Sequence, residues 1–293
     1  MVYILENSTL KVSISDVGAE LISAVHKHSG CEYIWQRNEE YWASSAPVLF
    51  PVCGRIYGGY YTYAEKKYEM GIHGFARHSK FEATDISDCS VTLRLRSDEQ
   101  TKKVYPFDFI LDITYTLDKA TLTSSAVISN PSDTQVLPAA FGAHPGFNVP
   151  LTPGGKFEDY YLRFSEECSP DRLVLSDTCF DTGRREALTL EDGRTIRLSH
   201  RLFDNDAIFM SHAASSVTLM SDSDKRSVTL EYGDMPYLGL WHTTRSDAPF
   251  LCIEPWYGLP SYDGTTDDLA KKSDMFRIVP GSAKTVTYKI TFN

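Results

Sequence analysis

Apolar and polar side chains alternate along much of the chain. The clearest alternating runs are residues 91–96, 195–198 and 285–292, in which every second side chain is Val, Leu, Ile, Tyr or Phe. An alternation with a period of two places one set of side chains on a buried face and the other set toward water. The pattern therefore predicts half-buried β-strands, and the many Thr, Val, Ile, Tyr and Phe residues are typical of such strands.

Short polar segments between the alternating runs predict tight turns. Asp192-Gly193 is the clearest of them, because glycine accepts the positive φ that a two-residue hairpin turn requires. The predicted connections are residues 118–120 between strands 110–117 and 121–129, residues 192–193 between 188–190 and 195–198, and residues 221–226 between 217–220 and 228–232.

Helical signals are scarce. Residues 267–276 carry the strongest of them, and this segment is too short and too weakly periodic for more than a turn or two. Many short strands joined by polar turns predict an all-β protein, built as an antiparallel sandwich or barrel. All-β domains often exceed about 200 residues, and strand patterns continue on both sides of the loop 152–155, so we expect residues 1–293 to form a single domain.

Charge and composition exclude several kinds of partner. The chain has 29 Lys and Arg residues against 39 Asp and Glu residues, a formal net charge of -10 that disfavours binding to nucleic acid. No apolar run approaches the ~18 residues of a membrane span, and the first residues lack the pattern of a leader peptide. The six cysteines are widely spaced without a CxxC pair, so we expect reduced thiols and a cytoplasmic protein.

Familiar motifs of nucleotide binding and hydrolysis are missing from the sequence. It contains no GxGxxG, GxxxxGK[ST], HExxH or GxSxG pattern, and no His or Cys spacing that is typical of a zinc site. Candidate chemistry falls instead in four segments in which polar residues are embedded among aromatic residues, Gly and Pro. These segments are residues 49–55, 72–77, 141–148 and 252–256.

Glu254 directly follows the apolar run 250–253, which predicts a buried strand. Burial raises the pKa of a carboxyl group and makes it a better base near neutral pH. Trp256 shares the face of Glu254 if the strand continues through Pro255. The alternative role for Glu254 is a strand-end carboxylate that pairs with an arginine for structural reasons.

Two histidines lie in loops whose backbone is restricted. His144 precedes Pro145 and Gly146, and His73 precedes Gly74, so each imidazole is presented from a turn of defined direction. A histidine with an ordinary pKa can serve as acid or base near neutral pH. The alternative is a pair of hydrogen-bonded turn residues with structural roles.

Arginine and aromatic side chains offer further contacts for a polar ligand. Arg55 and Arg77 carry a planar fork of donors that suits sugar hydroxyls as well as anions, although each could instead form a salt bridge on this acidic protein. Aromatic faces pack on the apolar C–H faces of sugars, although core packing is the alternative for each ring. The candidate tryptophans are Trp35, Trp42, Trp241 and Trp256.

Taken in order, these segments resemble the aldose 1-epimerase (galactose mutarotase-like) family, and most of all its shorter LacX-like branch. The resemblance runs from Gly18 to Gly281 and so covers nearly the whole chain. Its segments are residues 18–21 (GAEL), 32–35 (EYIW), 41–42 (YW), 48–56 (VLFPVCGRI), 73–77 (HGFAR), 144–151 (HPGFNVPL), 253–261 (IEPWYGLPS) and 280–281 (PG).

The resemblance implies a large antiparallel β-sandwich with a sugar site on one concave sheet. It matches Glu254 to a general base and His144 to a general acid, which together open and reclose the ring of a monosaccharide. His73 and Arg55 match residues that orient the ring, and Asp206 matches an aspartate that holds sugar hydroxyls. The implied reaction interconverts the α and β anomers of an aldose and needs no cofactor or metal.

Several alternatives for the substrate and the reaction stay open at this point. Pro-Trp-Tyr-Gly follows Glu254, where the mutarotases proper tend to carry a glutamine after the proline. Another branch of the family handles phosphorylated hexoses with additional basic residues, a role that Arg77 could fill. The remaining alternatives are a glycoside hydrolase with Glu254 and Asp206 as its paired carboxylates, and a sugar-binding protein without catalysis.

Overall fold

The alternating segments form strands in two large antiparallel sheets, which confirms the prediction of an all-β sandwich. The computed structural model describes residues 1–233 and 235–293. Within them, helix is limited to one short α-helix, α1 (Thr101–Val104), and to 3-10 segments of three or four residues. The 3-10 segments are Tyr57–Gly59, Ala76–His78, Phe157–Asp159 and His200–Phe203.

The strands of the described residues are numbered in chain order. They are β1 (Val2–Glu6), β2 (Leu10–Ser15), β3 (Leu21–His26), β4 (Val48–Leu49), β5 (Tyr60–Tyr63), β6 (Lys66–Glu69), β7 (Glu82–Ile86), β8 (Ser90–Arg96), β9 (Ile110–Asp118), β10 (Thr121–Ser129), β11 (Leu137–Ala139), β12 (Phe141–Ala143), β13 (Gly146–Asn148), β14 (Tyr160–Phe164), β15 (Asp171–Leu175), β16 (Asp181–Ala187), β17 (Thr195–Arg197), β18 (Ile208–Ser211), β19 (Ser216–Ser221), β20 (Asp224–Glu231), β21 (Tyr237–Trp241), β22 (Phe250–Tyr257), β23 (Phe276–Ile278) and β24 (Ala283–Phe292).

Nine strands form the first large sheet, in the order β17-β14-β19-β20-β24-β10-β9-β8-β7. The second large sheet has eight strands in the order β16-β15-β18-β21-β22-β12-β4, with β13 also paired to β22. Strand β22 therefore has β21 along one edge and the successive short strands β12 and β13 along the other. Smaller sheets are formed by β1-β2-β3, by β5-β6 and by β11-β23.

Burial alternates along the nine-stranded sheet as the sequence pattern predicts. In β10, Leu122, Ala126 and Ile128 are buried, whereas the Thr, Ser and Val residues at odd positions are partly exposed. Removing a Leu or Ile side chain from water contributes about 1.5–3 kcal/mol, so this face holds the sheet against the core. One cluster of buried apolar residues extends from Leu5 near the start of the chain to Phe292 near its end.

Two of the three predicted turns are confirmed with both of their strands. Residues 118–120 connect β9 to β10, and residues 221–226 contain the turn between β19 and β20. At Asp192-Gly193 both residues have the predicted positive φ (53° and 70°), but residues 188–190 form no strand. The prediction of that strand was wrong because the ladder between β15 and β16 ends at Pro170, which accepts a hydrogen bond from the Leu188 amide (2.9 Å) but has no N–H to donate in return.

Residues 267–275 form no helix, and Phe276 begins β23. Lys272 is buried in this segment, and its ammonium lies 3.7 Å from the Asp267 carboxylate and 3.3 Å from that of Asp274, the partners that a buried charge needs. The Thr62 amide of β5 donates to the Asp267 carbonyl (2.8 Å) and the Leu269 amide donates to the Thr62 carbonyl (2.9 Å), so contacts with a distant strand override the weak helical pattern.

Strand β22 is buried on both of its faces. Leu251 and Ile253 point into the main core, while Glu254 and Trp256 point to the opposite face, as the predicted alternation requires. The strand continues through Pro255, which lies opposite the break between β12 and β13. Amides two residues apart point to the same edge of a strand, so Pro255 lacks its N–H where the neighbouring ladder is interrupted.

No helix in the described part of the chain is long and apolar enough to cross a membrane.

The six cysteines are free thiols in this structure, and Cys53 and Cys252 are fully enclosed by the core.

Candidate active site

A cavity of about 310 Å³ opens on the eight-stranded sheet. Strands β15, β18, β21 and β22 all contribute side chains to its wall. The structure brings seven of the residues singled out from the sequence to this one cavity, although they lie far apart in the chain. They are Arg55, His73, Arg77, His144, Asp206, Glu254 and Trp256.

Glu254 lies at the base of the cavity and is only 1% exposed. Burial raises the pKa of its carboxyl group well above the usual range, and the nearby charge of Asp206 raises it further. Neither carboxyl oxygen of Glu254 has a hydrogen-bond partner within the protein. Such orphaned acceptors are rare in folded proteins, so these oxygens are available to a ligand that enters the cavity.

His144 reaches the same point from the break between β12 and β13. Its Nε2 lies 3.1 Å from Oε2 of Glu254, at ion-pair distance but without the alignment of a hydrogen bond. The rings of Trp42 and Trp241 pack against the imidazole at centroid distances of 5.1 and 5.7 Å. Burial among these rings lowers the pKa of His144 to about 3, and its Nδ1 has no hydrogen-bond partner.

Burial favours the neutral forms of both groups. A carboxylate and an imidazolium attract each other, but burial moves the pKa of Glu254 up and that of His144 down. Desolvation is therefore the larger effect here. The two facing groups together carry one titratable proton. Coupled acid and base transfer requires one group that can donate a proton and one that can accept it.

His73 adds a donor with a defined proton position. Its Nδ1 accepts a hydrogen bond from the Gly54 amide (3.1 Å), and its own amide donates to the Gly54 carbonyl (2.9 Å). Burial lowers the pKa of His73 well below its usual value, so the ring is neutral and carries its proton on Nε2. The ring stands edge-on to His144 (5.6 Å) and to Trp256 (5.4 Å), which holds it in place.

Two further donors in the wall are buried without a partner, namely Nε of Arg77 and Nε1 of Trp256. Together with the atoms of Glu254 and His144 they are all the unpartnered buried side-chain polar atoms in residues 1–233 and 235–293. Each of these atoms belongs to a residue of this cavity. The concentration indicates a site built to satisfy the hydroxyls of a polar ligand.

Arg55 and Asp206 occupy the outer part of the wall. The Arg55 side chain is exposed, whereas Asp206 is half-buried and accepts hydrogen bonds from the Cys179 thiol (2.7 Å) and the Ala207 amide (2.8 Å). The pKa of the Cys179 thiol is raised to about 11 by burial and by Asp206, so this thiol remains protonated and donates to the carboxylate. Cys179 thereby orients Asp206.

Sequence analysis missed part of the wall. Trp42 and Trp241 were recognised only as general candidates for sugar contact, and nothing in the sequence indicated that they enclose His144. Cys179 had no informative motif around it, because its contact with Asp206 joins residues 27 positions apart. Trp35 lies outside the wall and packs on Phe250 instead (4.7 Å).

Comparison with known proteins agrees with this architecture. The family model described as aldose 1-epimerase matches residues 1–266. The chain belongs to the aldose 1-epimerase family. Protein LacX of Lactococcus lactis subsp. lactis (plasmid form) is 33% identical over 98% of both chains.

Solved structures of the family are close to this one. A galactose mutarotase related enzyme from Lactobacillus acidophilus superposes with a TM-score of 0.95 and 35% identity, covering 100% of this chain and 97% of the other. A galactose mutarotase-like protein from Lactobacillus casei gives a TM-score of 0.93 and 32% identity, covering 100% of both chains. Membership in this family identifies the protein as a mutarotase-like enzyme that acts on sugars.

The burial of Glu254 has a measurable consequence for stability. Near pH 4 both the folded and the unfolded protein carry the protonated carboxyl group; as the pH rises, the unfolded state releases its proton first. The wild type should therefore lose up to about 1.4 kcal/mol of unfolding free energy per pH unit relative to Glu254→Gln, until the raised pKa of the folded state is passed. In thermal melts at pH 8, the melting temperature of Glu254→Gln should be higher than that of the wild type. The difference between the two melting temperatures should narrow toward pH 4.5.

The exposed Glu99→Gln is the matched control, because it removes the same carboxyl group at the surface. If the stability difference between Glu99→Gln and the wild type grew with pH by the same amount, burial of Glu254 would be contradicted as the cause.

Proposed function

We propose that this enzyme interconverts the α and β anomers of an aldose by acid–base ring opening at Glu254 and His144. The observation that carries the proposal is the buried pair itself, with Nε2 of His144 3.1 Å from Oε2 of Glu254 and both carboxyl oxygens unpartnered. Acid–base chemistry at a sugar ring needs two such groups facing one reacting centre.

The proposed reaction moves protons and leaves the carbon skeleton intact. Glu254 removes the proton from the anomeric hydroxyl O1, and the electrons of that bond form the C1=O1 double bond. The C1–O5 bond breaks, and His144 donates a proton to the ring oxygen O5. Rotation about C1–C2 presents the other face of the aldehyde, and the ring closes again with the two roles reversed. Protons are the only species exchanged between the sugar and the protein, so the proposal includes no cofactor or metal.

The ionic form that starts this sequence is Glu254 as carboxylate and His144 as imidazolium. This ionic form of the pair has the same number of protons as the neutral form that burial favours. A bound sugar supplies hydroxyl dipoles to the unpartnered oxygens of Glu254, and these hydrogen bonds favour its charged form. Substrate binding therefore shifts the shared proton toward His144.

The remaining wall residues are proposed to hold the ring. His73 donates from Nε2, Trp256 from Nε1, and Arg55 from its guanidinium, while Asp206 accepts hydrogen bonds from sugar hydroxyls. The tryptophan faces exclude water from the reacting centre and suit the C–H face of a hexose.

A hexose 6-phosphate is a second candidate substrate. The observation that favours it is Arg77, a guanidinium that is mostly enclosed in the cavity wall and whose Nε has no partner. Burial lowers the pKa of Arg77, although the charge of Glu20 raises it, and a phosphoryl group would favour the charged guanidinium further.

Polarimetry tests the proposal directly. Freshly dissolved α-D-glucose, α-D-galactose and their 6-phosphates would be followed at a pH where spontaneous mutarotation is slow. Acceleration with the free sugars is the expected result, and acceleration with only the phosphorylated sugars would select the second candidate. No acceleration with any of the four would contradict the proposed reaction.

We also infer that the protein works in the cytoplasm, as its widely spaced free cysteines suggest. The large cluster of buried residues that extends from Leu5 to Phe292 supports the inference of a single domain over residues 1–293.

A further inference from the structure

The thiol of Cys252 lies beside the proposed acid–base pair and has no part in the proposed reaction. Cys252 precedes Glu254 by two positions on β22, so both side chains project from the same face of the strand. The ladder partner of Cys252 is Gly146, and a Cβ atom at Gly146 would come within 3.4 Å of the Cys252 sulfur. The missing side chain at Gly146 therefore leaves room for the thiol next to His144.

Cys252, His144 and Glu254 form a group of potential metal ligands. One ligand atom from each residue lies within 4.8 Å of the other two, and Nε2 of His144 is 3.1 Å from Oε2 of Glu254. Zinc binds nitrogen, oxygen and sulfur at about 2.0–2.3 Å in a tetrahedral arrangement, which places neighbouring ligand atoms about 3.3–3.6 Å apart. Shifts of about 1 Å in the side chains would therefore enclose one zinc ion.

Two of the three residues have atoms free to coordinate a metal ion. Glu254 is 1% exposed, and neither of its carboxyl oxygens has a hydrogen-bond partner within the protein. His144 is buried as well, and its Nε2 faces Glu254 without the alignment of a hydrogen bond. Unpartnered acceptors at this depth are rare, so they are open to a metal ion as well as to the hydroxyls of a sugar.

Charge balance favours a divalent ion in this buried place. Burial raises the pKa of the Cys252 thiol and that of the Glu254 carboxyl group well above their usual ranges, so both groups hold a proton when no metal is bound. Coordination would release these two protons to solvent and leave His144 neutral. The two negative ligands then cancel the double positive charge of the ion, and a neutral complex avoids most of the cost of burying a charge.

The ligand types select zinc over magnesium and calcium. Thiolate and imidazole suit zinc, whereas magnesium and calcium require several oxygen ligands. Cys252 packs among Trp35, Ala248 and Phe250 and does not line the cavity. An ion that enters the cavity therefore meets Glu254 and His144 first, and the thiol completes the site from behind. The fourth position of the tetrahedron faces the cavity and suits a water molecule.

We propose that zinc binds to Cys252, His144 and Glu254 and thereby inhibits the enzyme reversibly. The inhibition rests on the proposed function, because a bound zinc ion occupies the two groups that must exchange protons with the sugar. Zinc and sugar compete for the same oxygens of Glu254, so each should weaken the binding of the other.

Cobalt spectroscopy tests the metal site without turnover. Co²⁺ replaces zinc in tetrahedral sites, and a thiolate ligand gives it a charge-transfer band in the near ultraviolet. We expect this band when Co²⁺ is added to the chelator-treated wild type, and its loss when Zn²⁺ follows. In Cys252→Ala the band should be absent, and the affinity for Zn²⁺, measured against a chromophoric chelator, should fall at least about tenfold. Cys252→Ser keeps the size of the side chain and replaces the alanine variant if that variant does not fold.

Cys53→Ala is the matched control, because Cys53 is also fully enclosed and lies outside the group of three ligands. The cobalt band and the affinity for Zn²⁺ should match those of the wild type in this variant. No thiolate band in the wild type, or a band that persists in Cys252→Ala, would overturn the zinc site.

Polarimetry measures the inhibition and separates it from the proposed reaction. Zn²⁺ should raise the KM for the sugar with little change in kcat, a chelator should reverse the effect, and Mg²⁺ at the same concentration should have none. Equal inhibition of the wild type and Cys252→Ala, or an unchanged rate in an enzyme whose site zinc has filled, would overturn the proposed inhibition. If no sugar is epimerised, the proposed reaction has failed, and the cobalt band still decides the zinc site.

Discussion

Glu254→Gln should lower kcat for mutarotation by about 10²–10⁴-fold, because a positioned acid or base typically contributes that much. Glutamine has nearly the same shape and remains neutral at every pH, so it fills the space of Glu254 without accepting the proton from O1. Burial favours the neutral form of Glu254, so a neutral amide in the same buried place should leave the fold intact. Polarimetry with the preferred sugar gives kcat, and circular dichroism verifies the fold.

The pairing of Glu254 with His144 allows a second and more stringent test of this prediction. His144→Gln should cost a comparable factor, and the double variant should lose little more than either single one, since Glu254 and His144 act as a unit. Glu99→Gln should match the wild type in the same assay, because Glu99 lies outside the cavity. A Glu254→Gln enzyme with a rate within about twofold of the wild type would rule out Glu254 as the base.

Gly74→Ala should destabilise the folded protein by about 2–5 kcal/mol, as expected from added strain at positive φ and overpacking. Gly74 has a φ of 73°, and a Cβ atom there would overlap the carbonyl of Phe50. That carbonyl cannot move away, because it accepts hydrogen bonds from the amides of Phe75 (3.0 Å) and Ala76 (3.2 Å). Urea unfolding measures the loss.

Gly71→Ala is a control three residues away in the same loop. A Cβ atom at Gly71 meets nothing within 4 Å, and its φ is not in the left-handed region. Gly71→Ala should change the free energy of unfolding by less than about 1 kcal/mol. Equal effects of the two substitutions would contradict the role of the Phe50 contact. His73 precedes Gly74 and is proposed to hold the sugar ring. The fraction of Gly74→Ala that remains folded should therefore also have a higher KM.

The sequence-based choice of site residues rests on local signals. His144 could be chosen because Pro145 and Gly146 restrict its backbone, and Glu254 because an apolar run precedes it. Both signals involve only neighbours in the chain, and the family resemblance then related the separate segments to one another. The structure brings the chosen residues to one cavity, while their roles in turnover stay predictions for the assays above.

Other features depended on contacts between distant segments. Residues 188–190 had the alternation of a strand, yet the ladder between β15 and β16 ends at Pro170, opposite Leu188, because proline has no N–H to donate. Residues 267–276 had a weak helical pattern, yet the Thr62 amide donates to the Asp267 carbonyl and the Leu269 amide donates to the Thr62 carbonyl. In both places a distant partner segment outweighed a local preference worth only tenths of a kcal/mol per residue.

The sequence by itself determined that this protein is built of alternating strands, that it belongs with the aldose epimerases, and which side chains are available for chemistry. Only the tertiary structure decided the protonation states of Glu254 and His144 and the enclosure of His144 by Trp42 and Trp241. The physical reason is that strand patterns arise from neighbouring residues, whereas desolvation depends on everything that packs around a group. Those surroundings exist only once segments from both ends of the chain have come together.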